Sequence, residues 1–194
     1  MTTNLRSRVR AGDRDAFGEL FDDYADRVYQ HLCRLLGNWS AAEDATSLTF
    51  LEAWRTRERL QPSDGSPLPW LLGIATNVAR NSVRSRRRRA AAMSRLPEAD
   101  REPDFAEDLA GRLDDAERLR AVRTALHALR RQEREVVALC VYAGLDYADA
   151  AEALGVPIGT VRSRLSRAKA RLRAAVSPAP DEHRPVALAP RREP

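Results

Sequence analysis

The stretch Asp146–Arg173, DYADAAEALGVPIGTVRSRLSRAKARLR, decides how the chain is read. Counted from Tyr147, the fifth residue is Ala151, small enough for two helices to cross closely, and the ninth is Gly155, which can take the positive φ of a tight inter-helix turn. Leu154, Val156, Val161 and Leu165 fall where two short crossing helices bury a shared face. Asp146 suits an N-cap, and Pro157 can open the second helix because a first turn does not need its missing N–H. The pattern is that of a helix-turn-helix.

The second helix carries the chemistry. At helical periodicity Val161, Leu165, Ala168 and Leu172 form one apolar stripe. The opposite face holds Ser163, Ser166, Arg167 and Ala170, flanked by Arg162, Lys169 and Arg173 on one side and Arg164 and Arg171 on the other. Six basic residues and no acid lie between 158 and 173. A small polar ridge between two cationic edges suits a DNA major groove, flanks to phosphates and ridge to base edges. A solvated basic helix would show the same charge, but would not need Ala, Gly, Val and Leu at the helix-turn-helix positions.

The 194 residues allow one domain or two small ones. With 43% hydrophobic and 31% charged residues, packed cores are expected and a membrane protein is not; no run reaches the roughly 18 apolar residues of a spanning helix. The N-terminal MTTNLRSRVRAGD lacks an apolar signal core, so a cytoplasmic location is expected. Net charge is +5, unevenly spread: Arg80 to Arg95 holds seven arginines and no acid, Glu98 to Glu117 nine acids and two basic residues. Two cationic surfaces about an anionic connector suggest two contacts with one polyanion. Cys33 and Cys140 sit in apolar helical patterns and read as buried reduced thiols. Neither they nor His31, His127 and His183 show ligand spacing, so no metal is expected. No phosphate loop, dinucleotide fingerprint or nucleophile elbow occurs, so no cofactor is expected and an enzyme is not.

Residues 4–11 read as a short helix ending at Gly12, and Asp13 as the cap of a helix running to Leu36 and stopped by Gly37. Ser40-Ala-Ala-Glu43 reads as a capping box opening a helix from 41 to about Arg57, with Asp44 in its first turn and Phe50 and Trp54 on one face. Residues 58–66 form a loop with turn residues Pro62, Asp64 and Gly65; Pro67 or Pro69 opens the next helix, which ends in arginines 84 and 86–89. Asn77 falls in the apolar part of that helix, where a structural hydrogen bond and a functional role are both open. The arginine run extends the helix and reads as a phosphate contact. Residues 94–114 read as a linker. Leu119, Val122, Ala125, Leu126 and Leu129 mark a helix; Val136, Val137, Leu139, Cys140 and Val141 mark another, ended by Gly144. The proline-rich tail after Val176 is expected to lack structure.

Taken together, DRDAFGELFDDYADRVYQHLCRLLG, AEDATSLTFLEAW, WLLGIATNVARNSVRSRRRR and EREVVALCVYAGLDYADAAEALGVPIGTVRSRLSRAKARLR resemble, in order and spacing, the extracytoplasmic-function sigma factors of the sigma-70 family. The resemblance implies an all-α chain of two small helical domains. A sigma-2 bundle over 1–92 would dock on the β′ clamp helices of bacterial core RNA polymerase and open the minus-ten element. An acidic linker over 93–114 would thread toward the RNA exit path. A sigma-4 helix-turn-helix over 115–176 would read the minus-thirty-five element and meet the β flap, and a tail over 177–194 would follow. It places minus-thirty-five contacts at Arg162, Ser163, Ser166 and Arg167, within a DNA face that also holds Arg164 and Lys169. It places a flipped base beside loop 58–69 and Asn77, and backbone contacts at Arg80, Arg84 and Arg87. Polymerase contacts are expected at Asp44, Phe50 and Trp54, with Ser47-Leu48 standing where the family commonly has a polar then an acidic residue. Promoter DNA, core polymerase and an anti-sigma factor are the implied partners. A conventional dimeric helix-turn-helix regulator and an adaptor working through protein contacts alone are the competing readings. The first predicts tight duplex binding unaided, the second a dispensable basic helix.

Overall fold

The computed structural model describes residues 4–62, 65–93, 124–126 and 128–176. The expected linker, the turn residue Asp64, Leu119, Val122, His127 and the tail lie outside them. The described residues are helical and loop, with no strand, so the fold is all-α.

Helix α1 spans Leu5–Arg10 and α2 Arg14–Leu36. Asp13 caps α2 by accepting from the amides of Asp15 and Ala16 at 3.0 and 3.1 Å. The Ala16 bond, with the Arg8 side chain behind it, holds the Asp13 carboxyl below its ordinary range. Gly37 closes α2 at φ 65°. Helix α3, Trp39–Arg55, begins two residues before the expected start. Asn38, the first residue past the left-handed glycine, accepts from the Ala41 amide at 2.7 Å and takes the cap that the sequence assigns to Ser40. After a 3₁₀ turn at Arg57–Arg59, α4 runs Leu68–Met93. The Ser66 hydroxyl and Pro67 carbonyl accept its first free amides, from Leu68 and Leu71, and Pro69 sits harmlessly in the first turn.

Helices α2, α3 and α4 bury Leu20, Val28, Leu32, Ala53, Leu71 and Leu72 against one another. Phe17 packs edge-on against Phe50 and Trp54, and Phe21 against Phe50 with centroids 4.7 Å apart. His31 on α2 meets Thr76 on α4 at 2.9 Å. The Thr76 hydroxyl already donates to the Leu72 carbonyl, so His31 Nε2–H is the donor and Nδ1 faces no partner. Burial, with Arg34 adding to it, pushes the His31 pKa down to about 3, so the ring is neutral.

Helix α5 covers Arg131–Val137 and continues as a π-helical stretch, Ala138–Tyr142, before Gly144 turns the chain at φ 72°. Helices α6, Tyr147–Leu154, and α7, Ile158–Val176, follow. Val136, Leu139, Ala150, Leu154, Val161, Leu165 and Ala168 form their shared core. That core is continuous with the one beneath α2–α4, and α6 lies along α4.

Candidate nucleic-acid interface

The helix-turn-helix is built as its residues dictate. Asp146 accepts from the Asp149 amide at 2.8 Å. Gly155 takes φ 63°, and the Val156 amide reaches back to the Ala151 carbonyl at 3.0 Å. Pro157 stands one residue before α7, its carbonyl accepting from Thr160 and Val161. Val161, Leu165 and Ala168 are buried, which turns the opposite face of α7 outward. Arg162, Ser163, Ser166, Arg167 and Lys169 are exposed and Arg164 is half-buried. Arg162 leans over the Tyr147 ring at 6.0 Å, and Arg167 Nε donates to the Ser163 carbonyl at 3.2 Å. Five of the six candidates are thus open to solvent, with Arg164 partly so, on the side of α7 away from its buried stripe and at its edges.

Two buried glutamates set the attitude of α7 and α5. Glu133 accepts from the Arg130 amide at 3.0 Å and from Arg171 of α7 at 2.9 Å. Glu135, 2% exposed, receives both Nε and Nη2 of Arg80 at 2.8 and 2.7 Å. Those two hydrogen bonds, larger in effect than the partial burial opposing them, raise the Arg80 pKa further. Neither glutamate was singled out from sequence. Both lie in an ordinary charged helix start, EREVV, and their partners are 38 and 55 residues away.

On α4 the candidates are differently placed. Asn77 is exposed, not buried in the apolar face; Ala75, Thr76 and Ala79 take the inside, and Asn77 Oδ1 accepts from Arg80 at 3.0 Å. Arg84 and Arg87 are exposed without an ion pair among the described residues. Asn77 lines a groove of about 610 Å³ with Leu51, Trp70, Ile74 and Asn81, walled on one side by Glu152 and Ala153 of α6. Of the polymerase candidates, Asp44 is exposed on α3, Phe50 is buried in the aromatic cluster and Trp54 is half-buried beneath Arg57. Leu48 and Leu51 are about half exposed. Cys33 and Cys140 are half-buried and unbridged. Among the described residues no group of His, Cys, Asp or Glu could hold a metal ion, and no helix is long and apolar enough to cross a membrane.

Comparison with known proteins matches two family models, Sigma-70 region 2 over residues 20–89 and Sigma-70, region 4 over residues 119–172. The chain is 34% identical over 173 residues to the ECF RNA polymerase sigma factor SigK of Mycobacterium ulcerans, covering 87% of this chain and 90% of that one. It is 40% identical over 166 residues to SigE of Mycolicibacterium smegmatis, covering 84% and 63%. Among solved structures, the sigma factor RpoE of Bartonella quintana, in complex with the anti-sigma factor NepR, superposes with a TM-score of 0.65 at 26% identity, over 82% of this chain and 96% of that one.

Proposed function

The chain belongs to the extracytoplasmic-function sigma factors of the sigma-70 family, and from that premise we propose how its surfaces divide the work of initiation. It binds core RNA polymerase and directs promoter-specific initiation. Residues 1–92 dock on the β′ clamp helices and open the minus-ten element, 93–114 form the acidic connector, 115–176 read the minus-thirty-five element, and 177–194 are a tail. In α7, Arg162, Ser163, Ser166 and Arg167 face base edges, and Arg164 and Lys169 face phosphates. In α4, Asn77 borders the pocket for a flipped base, and Arg80, Arg84 and Arg87 follow the strand. Asp44 meets the clamp directly; Phe50 and Trp54 act by holding α3 in place. The work is done in the cytoplasm by binding alone, with no cofactor and no catalytic step, and an anti-sigma factor is among the partners.

The observation that carries this division is the face of α7, where a polar ridge and its cationic edges are exposed because Val161, Leu165 and Ala168 are buried. A sigma factor gains melting energy from holding polymerase and single-stranded DNA together, and a flipped base returns its unstacking cost of a few kcal/mol in a pocket. Arg167→Ala in reconstituted holoenzyme tests it. Initiation should fall by roughly 1–3 kcal/mol equivalent, with the loss concentrated on promoters carrying one particular minus-thirty-five base pair. Equal loss on every promoter variant would reduce Arg167 to a phosphate contact.

A further inference from the structure

Helix α1 reaches the loop that joins α3 to α4, beside which a flipped base is expected to sit. The roots of this loop are buried, at Leu60 on one side and at Pro67 and Leu68 on the other. Gln61, Pro62, Gly65 and Ser66 between them are exposed. Exposed loop backbone has few packed side chains to hold it, so its shape depends on what its carbonyls are bonded to. Here α1 supplies the bonds. Arg6 and Arg10 are four residues apart and reach out from one face of the helix. Arg10 Nη1 donates to the Leu60 carbonyl at 3.1 Å. Arg6 Nη1 donates to the Gly65 and Ser66 carbonyls at 3.4 and 3.3 Å. Helix α1 is itself fixed: Val9 is buried, and Arg8 pairs with Asp13 at 2.9 Å and with Glu19 at 3.0 Å, which pins α1 to α2. Arg59 before the loop and Trp70 after it line the same groove as Asn77.

We infer that Arg6 and Arg10 are positioning residues for minus-ten recognition: α1 clasps both ends of the loop and holds the mouth of the flipped-base pocket in register with Asn77. Arginine suits the task, because one Nη carries two hydrogens and can reach two successive carbonyls, as Arg6 does. Arg6 is only 9% exposed, and a guanidinium gives up water at that depth; the loop carbonyls are the partners that offset part of this cost. Neither arginine is placed on DNA, and each acts through the loop backbone. A base that is read after it leaves the stack needs a pocket already in shape, because the pocket must recover the cost of unstacking. The inference rests on the assignment of the flipped base to this loop, and it goes beyond that assignment by naming what shapes the loop.

The test uses the full chain reconstituted with sigma-free bacterial core polymerase, on promoters in which each minus-ten and minus-thirty-five position is changed in turn. The variants are Arg6→Ala, Arg10→Ala and Arg10→Lys, with far-UV spectra and urea midpoints identifying those that fold. Arg10 is exposed, so its loss leaves the core intact; should Arg6→Ala fail to fold, the Arg10 pair decides alone. Each alanine variant should reduce discrimination at the flipped position by about three- to tenfold, the range that one hydrogen bond supplies, with minus-thirty-five discrimination as in wild type. A change that only weakens the fold lowers initiation on every template by one factor and leaves these ratios alone. Arg10→Lys keeps a donor for the Leu60 carbonyl and should restore most of the ratio. Unchanged minus-ten ratios in folded Arg10→Ala, equal losses at both elements, or no recovery with Arg10→Lys overturn the inference. Wild-type holoenzyme separates the two failures: discrimination that the variants match removes the role of α1 alone, whereas no minus-ten discrimination in wild type removes the flipped-base reading and this inference with it.

Discussion

Replacing Glu133 with alanine should loosen the recognition helix without touching its DNA face. Glu133 is 3% exposed and accepts two hydrogen bonds, from the Arg130 amide at 3.0 Å and from Arg171 Nη1 at 2.9 Å. A buried ion pair broken on one side costs about 3–5 kcal/mol, but the Arg171 side chain is 41% exposed and can rehydrate, which brings this part to about 1–2 kcal/mol. The stranded Arg130 amide at the start of α5 adds about 1 kcal/mol. The small void left by the shortened side chain adds up to about 1 kcal/mol. The expected loss is about 2–4 kcal/mol, located in α5–α7. Urea unfolding followed by circular dichroism gives its size, and amide exchange along α7 gives its place. Glu133→Gln, which retains an acceptor for the Arg130 amide, should lose about half as much. In a double-mutant cycle Glu133 and Arg171 should couple by about 1–2 kcal/mol. A loss below about 1 kcal/mol, or one spread equally over α2–α4, would refute the claim that this carboxylate sets the position of α7.

Three further outcomes are expected. His31 has a folded pKa of about 3 against an ordinary 6.5, so the unfolded chain binds the extra proton between those values. Its contribution is complete above pH 6.5 and is lost as pH falls toward 3, by at most about 1.4 kcal/mol per pH unit. His31→Leu should flatten that part of the stability profile, and parallel profiles would contradict it. Gly155→Ala forces a side chain to φ 63° and should cost about 1–2 kcal/mol, with Gly155→Asn costing less; equal stabilities in urea would exclude the left-handed turn. Arg84→Gln with Arg87→Gln should reduce the salt slope of open-complex formation by roughly 0.7 per phosphate contact removed, and an unchanged slope would assign neither to the strand.

Local chemistry was legible in the chain wherever neighbours in sequence decide the outcome. Asp13, Gly37, Asp146 and Gly155 cap and turn their helices as the sequence predicts, because a cap needs only its own next three residues. The start of α3 was misplaced because Asn38 and Ser40 can both cap, and only the position of the left-handed Gly37 selects the earlier one. Which way Asn77 faces was open in the sequence because an apolar helix does not announce which of its polar residues faces in; Thr76, next to it, can satisfy itself on the Leu72 carbonyl and takes the inner place. The π-helical stretch at Ala138–Tyr142 left no signal in composition. Least legible was the closure of α6 on α4. Gly73 resembles any helical glycine until Ala153 is seen against it, and Glu135 resembles a solvated charge until Arg80 reaches it from 55 residues away.

The central claim is that these surfaces serve one initiation complex. Purified full-length chain should be added to sigma-free bacterial core polymerase, followed for co-elution and for transcripts from a genomic promoter library. The account predicts a stable complex that initiates from a defined set of promoters sharing two spaced elements. No complex with core, together with tight binding of duplex DNA by the protein alone, would contradict it.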